Sequence, residues 1–281
     1  MKRALLVLCC VPLLAHAQSS SEEHGDEGEQ EEESKPQLPP PRRHKRTPPR
    51  DAVVDGMLHV PAGRFVFGRR RGAGPKDERP THEEAVRAFW MDRTEVTVGA
   101  FRACVNAGAC TAPARTSAYC TFFAGDDALP INCVRFAAAE AFCASRGARL
   151  PTEREWEYAA KGPREQRFPW GDLAPTCEVA ATLRSDRTAK SCTGTLPARV
   201  ASHPEGRGPF GHLDLAGNVE EWTADFYVEP LPAAPPRSGS SHVIRGGSWL
   251  LGPSYARTTA RSAGSAMEAG PGVGFRCAKD G

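Results

Sequence analysis

After residue 14 this 281-residue chain has no stretch near the roughly 20 consecutive apolar residues that a membrane-spanning helix needs. No transmembrane segment is expected. No two cysteines stand two residues apart, and no histidine neighbours one at ligand spacing, which argues against a zinc knuckle. His59, His82, His203, His212 and His242 are scattered, and each reads as a surface or hydrogen-bonded residue rather than a metal ligand. The basic, glycine-rich stretch from Arg69 to Pro75 lacks both the lysine-serine pair of a phosphate loop and dinucleotide spacing, so it reads as a mobile loop. Net charge is only +2, which offers no footprint for a nucleic-acid partner.

What the chain does carry begins with Lys2 and Arg3, an apolar run from Ala4 to Leu14, and Ala15-His16-Ala17. Together they have the charged start, short apolar core and small-residue site of a secretory signal over residues 1–17, cleaved before Gln18. Lipidation at Cys9 or Cys10 is the rival reading, but Leu8 is a poor small-residue neighbour and the site falls inside the apolar core. From Gln18 to Ser34 there are eight acids and no lysine or arginine, a composition that cannot bury enough apolar surface to fold. From Lys35 to Arg50 the sign reverses, and Pro36, Pro39, Pro40, Pro41, Pro48 and Pro49 favour an extended tether. Residues 18–50 thus read as a self-neutralising linker before a domain over 51–281.

That domain is rich in turns, in keeping with 27 Gly and 25 Pro along the chain. Met57 to Phe67 alternates around Val60, Phe65 and Phe67 as one half-buried strand would. Helices are expected over 97–106 and 136–145, the second burying Phe136, Ala139, Phe142 and Cys143 and stopping at Gly147. Thr152 and Glu155 have capping-box spacing, and Glu153, Glu155 and Glu157 read as helix-start and surface charges. Val243 to Trp249 reads as a core strand whose paired glycines mark a bulge or close approach.

Six blocks occur in order: Met57-Leu-His-Val-Pro-Ala-Gly-Arg-Phe-Val-Phe-Gly68, Asp92-Arg-Thr-Glu-Val-Thr97, Arg149-Leu-Pro-Thr-Glu-Arg-Glu-Trp-Glu-Tyr158, Phe168-Pro-Trp-Gly171, Gly211-His-Leu-Asp-Leu-Ala-Gly-Asn-Val-Glu-Glu-Trp222, and His242-Val-Ile-Arg-Gly-Gly-Ser-Trp249 with Gly274-Phe-Arg-Cys277. They resemble the formylglycine-generating enzyme, or sulfatase-modifying factor, family from about residue 55 to Gly281. The resemblance implies an α+β, loop-rich variant of the C-type lectin-like fold with few helices and short antiparallel strands. It also implies a disulfide between Cys143 and Cys277.

Ten cysteines less Cys9 and Cys10 leave eight, an even number that behind a secretion signal reads as disulfides and an extracytoplasmic location, periplasmic or secreted. Cys177 and Cys192 are the natural local pair, while Cys104, Cys110, Cys120 and Cys133 admit three pairings.

In that family, two cysteines five residues apart after the Gly-Gly-Ser strand hold copper(I). Soft thiolates suit that ion, and no aliphatic side chain can replace them. The matching positions here are Leu251 and Ala256. Ser248 and Tyr255 do match the motif, but without a metal or an adjacent base neither is a catalyst. Glu220 stands where the family usually has a tryptophan wall. The family's relatives that act on a histidine derivative take iron ligands from a separate helical domain that has no counterpart in this sequence. The block Asp214 to Glu221 resembles the family's calcium loop and implies ligands from the Asp214 and Glu221 carboxylates and the Gly217 and Val219 carbonyls, hard oxygens on a turning loop. Asx-type turns capped by the same carboxylates are the alternative. A second calcium loop has no match around Cys177–Cys192.

The expected function is therefore an exported, monomeric, disulfide-stapled and calcium-stabilised binding module, a pseudoenzyme lacking copper chemistry, with a protein or small-molecule ligand at its loop face. The alternative is an enzyme with divergent oxidase or other chemistry in the same groove, built from Ser248, Glu220, Tyr255 and Arg257. A third possibility gives the interaction to residues 18–50.

Overall fold

The computed structural model describes residues 53–70, 74–184 and 190–281. The expected signal and linker, and part of the Arg69 to Pro75 loop, lie outside these described residues.

The strands are β1 (Val53–Val54), β2 (Met57–Val60), β3 (Gly63–Phe67), β4 (His82–Val86), β5 (Phe89–Asp92), β6 (Glu220–Phe226), β7 (Ser241–Arg245), β8 (Arg261–Ser265), β9 (Val273–Gly274) and β10 (Ala278–Asp280). Helices α1 (Val98–Asn106), α2 (Phe136–Ser145) and α3 (Glu153–Lys161) fall between β5 and β6. One sheet has the order β1-β2-β5-β10, a second β8-β7-β6-β9, and β3 pairs with β4 as a separate hairpin. The sheets are antiparallel apart from β6 with β9, where Glu220 faces Val273 and Glu221 faces Gly274.

The span from Met57 to Phe67 is two strands in different sheets rather than one. Pro61 fixes its own φ and offers no amide to a ladder, so pairing stops at Val60 and restarts at Gly63. All four residues of β2 are buried, not half-buried, because the strand runs between β1 and β5 inside the sheet.

Helix boundaries follow their caps. Thr97 accepts a bond from Ala100 N at the start of α1. At α3 the capping box forms in full, with Glu155 N donating to Thr152 Oγ1 at 3.2 Å and Thr152 N donating to Glu155 Oε2 at 2.8 Å. Gly147, in the left-handed region, follows the end of α2.

Two large apolar clusters fill most of the interior among the described residues, beside a smaller third around Phe168. One joins α1 and α2 to the second sheet through Phe101, Phe142, Trp222 and Phe275, and the other packs Val60, Phe67, Met91, Trp156 and Leu215 between α3 and the first sheet. Each fully buried large side chain contributes about 1.5–3 kcal/mol.

Four disulfides are present: Cys104–Cys110, Cys120–Cys133, Cys143–Cys277 and Cys177–Cys192. The pairing implied for Cys143 and the local pair Cys177–Cys192 are both found. The remaining four cysteines take one of their three possible pairings, the one joining sequence neighbours.

Glu153 and Glu157 correct the surface reading of α3. Both are buried, at 2% and 0% exposure. Arg261 Nε and Nη2 donate to Glu153 at 2.6 and 3.0 Å, while Glu157 accepts from Lys161 Nζ at 2.8 Å, from Gly68 N at 2.8 Å and from Arg245. Alternation of acids along a short helix looks amphipathic, but here the opposing arginines come from β7 and β8, far away in sequence. His59, His212 and His242 are buried too, at 3%, 0% and 8% exposure, so of the surface and hydrogen-bonded alternatives the surface one does not hold for them.

Candidate functional site: the loop after the Gly-Gly-Ser strand

β7 ends at Arg245, so the paired glycines follow the strand instead of forming a bulge within it. Gly247 has φ +70°, and a Cβ there would lie 2.8 Å from the Tyr255 carbonyl carbon and oxygen. Only glycine lets the chain turn and press this closely on its own returning segment. Residues 248–256 consequently fold back on the strand end, held by Trp249 N to Asn218 O at 2.9 Å and Leu183 N to Leu251 O at 2.8 Å.

The two positions that would need thiolates have no ligand atom in their side chains. Leu251 is aliphatic and half-buried, and the Ala256 methyl is 1% exposed in a small apolar cluster with Phe168 and Ala216. The groove candidates do not all converge. Ser248 is buried, with its Oγ 3.1 Å from the place a Cβ on Gly272 would take, and Gly272 O accepts from Glu220 N at 2.8 Å. Ser248 and Glu220 thus share one neighbour. Tyr255 projects to solvent at 46% exposure. Arg257 turns inward, its Nε donating to Ser254 O at 2.8 Å and its Nη1 to Glu78 Oε2 at 2.6 Å, so it is a structural tie rather than a groove wall.

Glu220 is 8% exposed on β6, and burial pushes its carboxyl up to about 7 against a weaker opposing hydrogen bond with Ser262. A buried carboxyl that is half ionised near neutral pH is able to take or give a proton there.

The acidic loop ahead of β6 turns through three left-handed residues, Asp214, Gly217 and Asn218. A Cβ on Gly217 would fall 2.4 Å from Ala181 O, so this turn too requires glycine. Asp214 Oδ2 accepts from Ala201 N at 2.6 Å. Glu221 is fully engaged: Arg276 Nε and Nη2 each donate at 2.7 Å to its two oxygens, and Trp156 Nε1 adds a third bond at 2.7 Å. Glu95, 2% exposed, has both carboxylate oxygens without a hydrogen-bond donor, and the buried Asn218 amide has no partner at either end. Burial, and then the charge of Asp214, push the Glu95 carboxyl well above the usual carboxylate range.

Among the described residues no three acidic, histidine or cysteine side chains converge as ligands of one ion. A cation here would therefore draw much of its shell from main-chain carbonyls. The donor set still suits a hard dication. Glu95, Asp214 and Glu221 interact electrostatically around the single guanidinium of Arg276, leaving two buried negative charges uncompensated when all ionise. Glu95 escaped the sequence reading, although it lies in the quoted block Asp92 to Thr97. The sequence carries no signal for it, since the burial of its neighbours Thr94 and Val96 is evident only in the fold.

A lectin-like α+β architecture, a Gly-Gly-Ser strand end folded under its own loop, and an acid-rich turn beside it define a domain of the formylglycine-generating-enzyme type. The chain belongs to that family: its residues 44–281 match the model of the sulfatase-modifying factor enzyme 1-like domain. It is 31% identical to the formylglycine-generating enzyme of Streptomyces coelicolor over 80% of this chain and 89% of that protein. The inactive C-alpha-formylglycine-generating enzyme 2 of Mus musculus is 29% identical over 79% of this chain and 85% of its own length. Among solved structures, PvdO from Pseudomonas aeruginosa superposes with a TM-score of 0.67 at 25% identity, covering 80% of this chain and 94% of that one.

Proposed function

We propose that this chain is an exported member of the family that has lost copper-dependent formylglycine generation and acts as a binding module through its loop face. The observation that carries the proposal is the replacement of both copper-ligand positions by hydrocarbon: Leu251, and the Ala256 methyl buried against Phe168 and Ala216. The packing leaves no nearby thiolate to substitute, because all eight cysteines beyond Cys10 are in disulfides. The mouse relative, whose name describes it as inactive, supports the same reading. Calcium at the Asp214–Glu221 turn would be structural, held by Asp214, the Gly217 and Val219 carbonyls and, because its oxygens are orphaned, Glu95 more than Glu221. The test is incubation of the oxidised chain with copper(I), oxygen and a sulfatase-type cysteine peptide. No aldehyde is expected by mass spectrometry, and copper-dependent aldehyde overturns the proposal.

A second reading rests on Glu220, whose carboxyl near pKa 7 beside Ser262 is a candidate acid-base group for different chemistry in the same groove. Copper-independent turnover that disappears in Glu220→Gln would favour it.

A further inference from the structure

A cavity of about 290 Å3 opens beside the end of α3, apart from Glu220 and from the acidic turn. That is close to the roughly 300 Å3 lower bound for small-ligand pockets. Its charged lining is Arg69, Arg70, Lys161, Arg167 and Arg257 against Glu165 and Asp172.

The charges are layered. Lys161 and Arg257 are buried and are neutralised from behind, Lys161 Nζ by Glu157 at 2.8 Å and Arg257 Nη1 by Glu78 at 2.6 Å. Neither Glu157 nor Glu78 lines the cavity, and Glu157 is already shared with Arg245 and with Gly68 N. On the open side, Arg70 lies 3.4 Å from Glu165 and 3.0 Å from Glu83, both solvent-accessible. Arg167 lies over the Phe168 ring at 5.3 Å and pairs with no carboxylate among the described residues. Asp172, the remaining acid of the lining, accepts from the Arg167 main-chain amide at 3.0 Å. A solute in this space therefore meets five cationic groups against two lining carboxylates, with the partners of Lys161 and Arg257 a layer further off, so the local potential is positive although the whole chain is near neutral. Guanidinium forks present paired donors that match the geometry of carboxylate and phosphate oxygens.

We propose that this cavity is a binding site for a small polyanion, a solute whose carboxylate or phosphate groups carry two or three negative charges. The site does not depend on whether copper chemistry is absent, since its test reads binding alone. Isothermal titration of the whole chain with citrate, and separately with inorganic phosphate, at low chloride is expected to show one saturable site for at least one of them. Arg167→Gln and Arg70→Gln should each weaken it about tenfold, while Arg237→Gln, an exposed arginine outside the cavity, should leave it unchanged. Citrate preferred over phosphate identifies a polycarboxylate as the ligand class, and the reverse a phosphorylated one. Arg167 is exposed, so that variant keeps the test valid if Arg70→Gln fails to fold. No saturable heat with either anion, or unchanged affinity in both arginine variants, overturns the proposal.

Discussion

Arg276 and Glu221 form a two-pronged ion pair in the interior, both at 0% side-chain exposure, with the guanidinium also donating to the Asp92, Arg93 and Leu213 carbonyls. One arginine thus fastens β6 to the turn after β5 and to the loop that carries Asp214. Removing one member strands the other without solvent. Arg276→Gln is expected to cost about 3–5 kcal/mol in urea unfolding, and Arg276→Lys, which keeps the charge but not the fork, less.

The Cys143–Cys277 bond joins α2 to the segment just before β10 across a separation of 134 residues. On the chain-entropy account, closing a loop that long contributes about 4–5 kcal/mol. The double variant Cys143→Ser, Cys277→Ser should lose close to that amount, and Cys104→Ser, Cys110→Ser, closing a separation of only 6, should lose less. Equal losses in calorimetry would contradict this.

His242 is stacked on Phe136 with ring centroids 3.5 Å apart and lies 4.5 Å from Phe226. Burial lowers its pKa below the ordinary imidazole value. The folded state therefore disfavours the imidazolium. This contribution is whole above about pH 6.5, where the unfolded chain's histidine is neutral too, and is lost as pH falls from there toward the folded value. Between pH 7.5 and 5.5 the wild type should lose more stability than His242→Gln, read as the difference in urea midpoint.

Calcium at the acidic turn should raise the melting temperature, and EGTA should reverse the rise. Glu95→Gln distinguishes an ion site from a capped turn. Without calcium this variant relieves repulsion from Asp214 and should be more stable than wild type, while with calcium it should be less stable and bind more weakly. Identical melting curves with and without the ion would exclude it.

Restoring sulfur to the loop should restore metal affinity. Leu251→Cys with Ala256→Cys is expected to bind one copper(I) in competition with a chromophoric chelator, and the parent none. Ala256 is packed against Phe168, so the larger side chain should also cost about 1–3 kcal/mol.

Much of this fold could be read from the chain because its signals were local. The Thr152–Glu155 cap, the helix from Phe136 to Ser145 and the Gly147 stop each sit within a few residues of what they control. Motif blocks carried the family, and with it the bond from Cys143 to Cys277. The interior charge was not legible. Glu153 and Glu157 look like the exposed side of a helix until Arg261 and Arg245 arrive from strands more than 85 residues later, at sequence separations of 108 and 88. Arg257 looked like a groove residue for the same reason, since its partner Glu78 is 179 positions away. Glu95 failed to register because an acid one step from Val96 gives no sign of burial until Asp214 closes over it.

The loop from Ser248 to Ala256 rests on backbone bonds and on glycine, whereas the scaffold around it is wired by arginine and glutamate pairs drawn from α3, β6, β7 and β8. The residues that would decide chemistry at Leu251 and Ala256 take no part in those pairs. Replacing them changes what the surface can do while the frame beneath stays intact. Loop and frame are separable: positions 251 and 256 can change without renegotiating the electrostatics that keep the domain folded.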